Sequence, residues 1–372
     1  MSKIKVLEVI PALNDGGAET LVASYVRLMN REECEPVVVV FHPRQETVNC
    51  KRVAETKTRT VSVYKTNSFI KKVMFRLLGD WYIPVMLKKI IKKERPQAIH
   101  THLSVLRYFA PISDCLKGIR VFYTCHSEPE LMFVQSKERR SAEHLIQNNG
   151  LRLVALHEDM RVQLNEMFNV DDSVVIKNGV DFNKLKNVER SKDEIRQGLG
   201  IPADAFVLGH IGRYADSKNH KFLVEVFKAV YAREKNAFLL LVGSGVNYEL
   251  IKEKIAQYGL ENRVKMFKSR SDIPEILKAM DVFVFPSWFE GLSVTMVEAQ
   301  VSGVRCVVSD RINSASFLSP KTVALSLDDG CERWADAVLD RELVTDKPYG
   351  DLDEYDLNKE MRRLEGLYKG EF

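Results

Sequence analysis

Short apolar runs recur along almost the whole chain and alternate with segments whose apolar residues fall at helical spacing. Runs this short are buried strands, and helices between them cover a parallel sheet on both faces. The strands are expected at 6–10, 36–41, 98–102, 121–125, 151–156 and 174–176 in the first half. In the second half they fall at 207–211, 238–242, 264–267, 282–285, 305–308 and 323–325. Each set amounts to one Rossmann-like sheet.

Residues 181–205 are polar, show no strand pattern and close on Gly200, Ile201 and Pro202, so the hinge between two domains is placed there. The expected division is 1–185 and 186–354, with a final amphipathic helix over 355–372. Leu357, Met361, Leu364 and Tyr368 set its apolar stripe, which Gly366 weakens. After Lys218, the residues Phe222, Leu223, Val226, Phe227, Val230 and Tyr231 share one helix face. Asp272 and Glu275 form a capping-box pattern around Pro274.

A chain of 372 residues exceeds one ordinary core, which agrees with two domains, and 45% hydrophobic residues with 28% charged ones exclude a disordered chain. The net charge of +4 is too small to point to nucleic acid. Residues 1–185 hold 28 Lys and Arg against 21 Asp and Glu, or +7, and the remainder comes to −3. That asymmetry suits an anionic surface on one side, or is ordinary scatter. Cys34, Cys50, Cys115, Cys125, Cys306 and Cys331 form no C-x-x-C pair and fit reduced cytosolic thiols. Glu8 interrupts the apolar run of the N-terminus, no cleavage site follows, and no apolar stretch reaches membrane-spanning length, so a cytoplasmic protein is expected.

Four strand-to-loop passages could carry chemistry. Gly16 and Gly17 bare the backbone at a helix start, where unpaired N–H groups attract anions; a tight turn explains them equally. Gly243 and Gly245, in VGSG, could admit a nucleotide or simply make a turn. The stretch 285–299, FPSWFEGLSVTMVEA, holds Glu290 and Glu298 with seven residues between them, among them Gly291, Leu292 and Ser293 with their N–H groups. Such a set offers acceptors for sugar hydroxyls and donors for phosphate, against a solvated acidic helix start as the alternative. Arg213 and Lys218, in GRYADSKNH, place two cations on a loop, suited to a diphosphate or to plain surface basicity.

His100 and His102 alternate on one strand, but no carboxylate or Cys stands at ligand spacing beside them, so no metal site is expected. His126 follows another strand, where open α/β sheets keep functional groups; a structural histidine is the alternative. Asp351 and Asp353 lie in an acidic loop and are expected to be solvated and helix-capping. Segment 69–95 mixes eight Lys and Arg with Trp81 and Tyr82, as a helix on an anionic membrane would, or as a solvated helix pair on the sheet.

Together these segments resemble the retaining glycosyltransferases of family 4. The resemblance rests on GGAE at 16–19, NGVDF at 178–182, GRYADSKNH, LLLVGSG, and FEGLSVTMVEAQVSG followed by CVVSD. It implies an α/β protein of the GT-B fold: two facing Rossmann-like domains, with a C-terminal helix packing back towards the N-terminal one. EGLSVTMVEAQ and WADAVL are most similar to bacterial exopolysaccharide and capsule enzymes. The implied activity is hexosyl or N-acetylhexosaminyl transfer from a nucleotide-sugar, a UDP-sugar foremost, to a saccharide or polyprenyl-diphosphate-linked acceptor. No metal or other cofactor and no nucleic acid is implied; a peripheral place on the inner face of the cell membrane, through 69–95, is. The C-terminal domain would hold the donor and the N-terminal domain the acceptor.

Carried over by motif, Arg213 and Lys218 would hold the diphosphate, Glu290 the sugar hydroxyls and Glu298 the ribose. His126 would border the donor sugar, Gly17 would turn its N–H to the phosphates, and Arg270 and Ile273 would lie by the base. Ser293 and Val294 depart from residues common in relatives, which leaves sugar preference open. A GT-B-like protein that binds nucleotide or saccharide without catalysis is the alternative; the full set of Arg213, Lys218, Glu290 and Glu298 argues against it. An NAD-dependent enzyme lacks its G-x-G-x-x-G here.

Overall fold

The computed structural model describes residues 3–14, 16–42, 46–64, 69–133, 137–290, 293–345 and 349–371, with backbone alone at 69–78 and 315. It divides into two units, Met1–Asn178 with Asn358–Phe372, and Gly179–Leu357.

Unit 1 holds β1 (Ile4–Ile10), β2 (Cys34–Val40), β3 (Arg59–Ser62), β4 (Ala98–His102), β5 (Arg120–Thr124), β6 (Arg152–Ala155) and β7 (Val174–Val175). They form one parallel sheet in the order β3-β2-β1-β4-β5-β6-β7. Unit 2 holds β8 (Phe206–Ile211), β9 (Ala237–Val242), β10 (Val264–Phe267), β11 (Val282–Phe285), β12 (Arg305–Ser309) and β13 (Thr322–Leu325). Its sheet, also parallel, runs β10-β9-β8-β11-β12-β13. Continuous runs such as Val37–Val40 and Leu239–Leu241 are buried on both faces, as helix-covered parallel strands require.

Every expected strand is present to within two residues at its ends. The strand that the apolar pattern did not reveal is β3, whose Thr60, Val61 and Ser62 are half-buried and Arg59 exposed. It lies at the sheet edge, where polar residues are usual.

The hinge lies elsewhere than 181–205. That segment folds into the helices Phe182–Lys186 and Lys192–Gly198, and Val180, Phe182, Leu185, Ile195, Leu199 and Ile201 are buried in the core of unit 2. The chain therefore changes unit at Asn178 and returns after Leu357, not at 185 and 354. Two strands of linker run side by side, Val180 N donating to Tyr355 O at 2.8 Å and Leu357 N to Val180 O at 3.0 Å. A Cβ at Gly179 would stand 2.7 Å from Tyr355 O, so this close approach demands glycine.

The closing helix, Leu357–Lys369, returns to unit 1. Met361, Leu364, Leu367 and Tyr368 are buried, Glu365 accepts from Asn30 N at 2.6 Å, and Arg120 Nε donates to Tyr368 O at 2.7 Å. Asp351 caps a short 3-10 turn by accepting from Asp353 N at 2.9 Å. In the helix Phe69–Glu94, Ile83, Leu87, Ile90 and Ile91 are buried while Trp81, Lys88, Lys89, Lys92 and Lys93 are exposed. No helix among the described residues is long and apolar enough to cross a membrane. All six cysteines are free thiols.

Candidate active site

In an open parallel sheet the strand order reverses at one point, and the loops leaving the carboxyl ends there splay apart. In unit 2 that point lies between β8 and β11, and in unit 1 between β1 and β4. Most of the residues singled out by their motifs sit on or beside these two points.

In unit 2, β8 ends at Ile211 and leads through Gly212 and Arg213 into a 3-10 turn, Asp216–Lys218, followed by the helix His220–Arg233. β11 leads into the loop that carries Glu290. Trp288 N donates to Ser217 O at 2.8 Å, and this bond ties the two loops together. Lys218 Nζ then meets the Glu290 carboxylate in an ion pair whose side chains keep only 17% and 15% of their exposure. Lys218 Nζ also lies 4.8 Å from the Phe285 ring centroid. Arg213 is exposed, and no described residue pairs with its guanidinium. One cation of the expected pair is thus held by a carboxylate and the other faces water.

Gly243 and Gly245 pack backbone on backbone. A Cβ at Gly243 would stand 1.9 Å from Gly212 O, and one at Gly245 2.5 Å from Tyr214 O. Tyr214 N donates to Ser244 O at 3.1 Å, so the β9 loop holds the β8 loop in place. Those glycines have a packing reason of their own.

Arg270 does not project freely. Its Nε and Nη2 bind Asp272 Oδ1 and Oδ2 at 2.8 and 2.6 Å, a bidentate pair. This is also why the capping box fails: Asp272 makes no side-chain cap, its carboxylate being taken by Arg270. Ile273 opens the following helix and packs half-buried against the core. Ser293 precedes the helix Val294–Val301, and its carbonyl accepts from Met296 N and Val297 N, both at 3.1 Å. Glu298 is half-buried on that helix, while its neighbours Val297 and Ala299 are fully buried. Gly291 and Leu292 lie outside the described residues.

In unit 1, Gly16 precedes the helix Gly17–Leu28, and Thr20 Oγ1 donates to Gly16 O at 2.8 Å. The loop between β1 and that helix is buttressed by Asn49, whose Nδ2 donates to Asn14 O at 2.7 Å. A Cβ at Gly16 would collide with the Glu19 carboxylate, but one at Gly17 would meet nothing within 4 Å. Space above the first turn therefore opens at Gly17.

His126, half-buried after β5, is the outer member of a buried polar cluster. Its Nε2 is 3.0 Å from His102 Nδ1, and His102 Nε2 is 2.9 Å from Glu8 Oε2. Glu8 Oε1 accepts from Tyr368 Oη at 2.9 Å; that hydroxyl also lies 2.6 Å from His100 Nδ1, whose Nε2 is 2.7 Å from Thr124 Oγ1. Burial pushes the Glu8 carboxyl up to about 8, with the Tyr368 hydrogen bond opposing. Burial holds His102 down at about 3, and holds His100 and His126 well below the usual imidazole range, helped in both by neighbouring His102.

Contrary to the expectation that no carboxylate stands beside the histidines, Glu8 is the partner of His102 and lies next to His100, a neighbour that spacing along the chain did not reveal. Strand β1 pairs with β4 so that Glu8 is opposite His100. Potential ligand atoms of Glu8, His100 and His102 lie within 4.8 Å of one another. All three side chains are engaged in the hydrogen bonds just described. The available signal was an acid inside an otherwise buried apolar strand.

Two parallel Rossmann-like units in one chain are the make-up of the GT-B fold. Residues 15–184 match the family described as Glycosyltransferase Family 4 and residues 191–339 match Glycosyl transferases group 1, so the chain belongs to these glycosyltransferases. It is 28% identical over 350 residues to glycosyltransferase EpsF of Bacillus subtilis, covering 91% of this chain and 87% of that one. It is 32% identical over 253 residues, 63% of each chain, to the UDP-Gal:alpha-D-GlcNAc-diphosphoundecaprenol alpha-1,3-galactosyltransferase of Escherichia coli. Among solved structures, HepE of Anabaena in complex with UDP-glucose superposes with a TM-score of 0.68 at 17% identity, over 98% of this chain and 95% of that one. The glycosyltransferase WaaG, of lipopolysaccharide biosynthesis, superposes with a TM-score of 0.65 at 13% identity, over 98% of this chain and all of that one. The protein is an enzyme of glycosyl transfer, related to those that build bacterial surface polysaccharides.

Proposed function

We propose that the enzyme is a retaining transferase that moves a sugar from a UDP-sugar to a saccharide carried on a polyprenyl diphosphate. The observation that carries this reading is the Lys218 and Glu290 pair at the switch point of unit 2. Breaking an anomeric C–O bond puts negative charge on the departing diphosphate and oxocarbenium character on the sugar. Lys218 and Arg213 answer the first, joined by backbone N–H groups at helix starts such as Gly17. Glu290 accepts from donor-sugar hydroxyls, Glu298 from the ribose, and His126 borders the sugar.

With two cations meeting the diphosphate, the reaction proceeds without a metal ion. Retention follows if the acceptor hydroxyl attacks from the face the phosphate leaves and passes its proton to that phosphate. The salt bridge of Arg270 to Asp272 favours contact to the base through loop backbone rather than through the guanidinium. The uridine assignment and the lipid-linked acceptor are supported by the substrates for which the E. coli relative is named and by the ligand of the Anabaena neighbour. The exposed lysines 88, 89, 92 and 93 with Trp81 support docking on the anionic inner face of the cell membrane.

The test is a thermal-shift titration with UDP, GDP and a panel of UDP-sugars, with and without EDTA, followed by transfer to a polyprenyl-diphosphate saccharide. Stabilisation by UDP that survives EDTA, and a product of unchanged anomeric configuration, are expected. A shift abolished by EDTA would overturn metal independence, and an inverted product would overturn retention.

A further inference from the structure

We propose that Glu8 acts through His102 as a positioning residue that decides which ring nitrogen of His126 bears its proton. The three side chains form an unbranched hydrogen-bond chain running outward from β1 through β4 to the residue that follows β5. Each link is at 2.9 or 3.0 Å, and Glu8 and His102 have no exposed surface. Among the described residues, no partner takes His126 Nδ1.

A neutral imidazole has one donor and one acceptor nitrogen, so each link dictates the next. When Glu8 is ionised, Oε2 accepts from His102 Nε2–H, which leaves His102 Nδ1 as an acceptor. His126 must then donate through Nε2–H, and its Nδ1 is an acceptor. When Glu8 carries a proton on Oε2, that O–H donates to His102 Nε2. His102 then donates through Nδ1–H to His126 Nε2, and His126 Nδ1–H is a donor. Passing between the two states breaks three bonds: Glu8 O–H, His102 Nδ1–H and His126 Nδ1–H. It forms His102 Nε2–H, His126 Nε2–H and the bond of the released proton to water. His126 can thus give up a proton at Nδ1 while the charge left behind settles on Glu8, where His102 and Tyr368 both donate to it.

The groups facing Glu8 are His100 and His102 from β4, Tyr368 from the closing helix, and Tyr25 from the helix Gly17–Leu28, with Glu360 acting on Tyr25 and Cys34 of β2 on Tyr368. None of them places a cation beside the carboxylate, because burial keeps His100 and His102 neutral. Its midpoint of about 8 puts the interconversion within reach of ordinary solution pH. The consequence for transfer rests on the reading that His126 borders the donor sugar: one state offers a sugar hydroxyl a donor, the other an acceptor. The relay itself does not depend on that reading.

The experiment is an imidazole nitrogen NMR titration of the full chain, labelled with 15N at its eight histidines and free of substrate, from pH 6 to 10. His126 is assigned by its loss in His126→Gln. In the wild type His102 and His126 should both pass from the Nδ1–H to the Nε2–H tautomer as pH rises. In Glu8→Gln, whose amide oxygen faces Tyr368 and whose NH2 faces His102, both should stay Nδ1–H throughout. Unchanged tautomers in the wild type would overturn the proposal without recourse to any variant. So would a flip confined to His100, which would send the proton towards Tyr368, and so would a Glu8→Gln titration that matches the wild type. Transfer by His126→Gln is assayed separately: full activity there would remove the sugar contact and leave the relay standing.

Discussion

Replacing Lys218 by Met removes the ammonium and keeps the length of the stem, so it separates what Lys218 does for the fold from what it does for transfer. In the structure the Glu290 carboxylate is 15% exposed and has Lys218 as its ionic partner. Stranding such a charge costs about 1 to 3 kcal/mol, and the contact over Phe285 adds about 0.5 to 1. Unit 2 should therefore lose roughly 1.5 to 4 kcal/mol in urea unfolding. Loss of one donor to a developing anion lowers transfer about 100- to 1,000-fold. The double variant Lys218→Met with Glu290→Gln removes the stranded charge. It should recover stability to within about 1 kcal/mol of the wild type while transfer stays at least about 100-fold down. Turnover of radiolabelled donor, corrected for the folded fraction, is the assay. Recovery of transfer along with stability in the double variant would show that Lys218 serves only the fold, and would refute the reasoning.

Arg213→Ala, at an exposed side chain without a described partner, should change stability by less than about 0.5 kcal/mol yet reduce transfer and UDP-induced stabilisation. Gly243→Ala should destabilise unit 2 by about 1 to 3 kcal/mol in urea, since its Cβ would stand 1.9 Å from Gly212 O; Gly17→Ala, which meets nothing within 4 Å, should leave unfolding nearly unchanged. Glu8 has a folded pKa of about 8 against an ordinary 4.5, so the stability it contributes is complete below pH 4.5 and is lost as pH rises towards 8. Glu8→Gln should gain on the wild type by up to about 1.4 kcal/mol per pH unit in that window, read from hydrogen exchange of β1 and β4 peptides; parallel curves would contradict it. Tyr368→Phe removes the hydrogen bond that favours the Glu8 carboxylate, and should move the tautomer midpoint of His126 to higher pH. Lys88→Glu with Lys92→Glu should reduce flotation with anionic vesicles; equal recovery on neutral ones in the wild type would count against membrane docking.

The periodic pattern was enough to locate twelve strands and the closing helix, because alternation between buried runs and helical stripes is imposed locally by backbone geometry. It was also enough to place Lys218, Glu290, Gly17 and His126 at strand ends, since in a parallel sheet the chain must turn there. β3 escaped it because an edge strand buries too little to need an apolar run. The hinge was misplaced because a polar segment can still fold two short helices onto a core through a few residues, here Phe182, Leu185 and Ile195. Partnership was decided by the tertiary structure alone. Lys218 finds Glu290 72 residues away, His102 finds Glu8 at a separation of 94, and Tyr368 reaches Glu8 across 360. Sheet order and register settle which side chains become neighbours, and they depend on the burial of all strands together, which no local window of sequence contains.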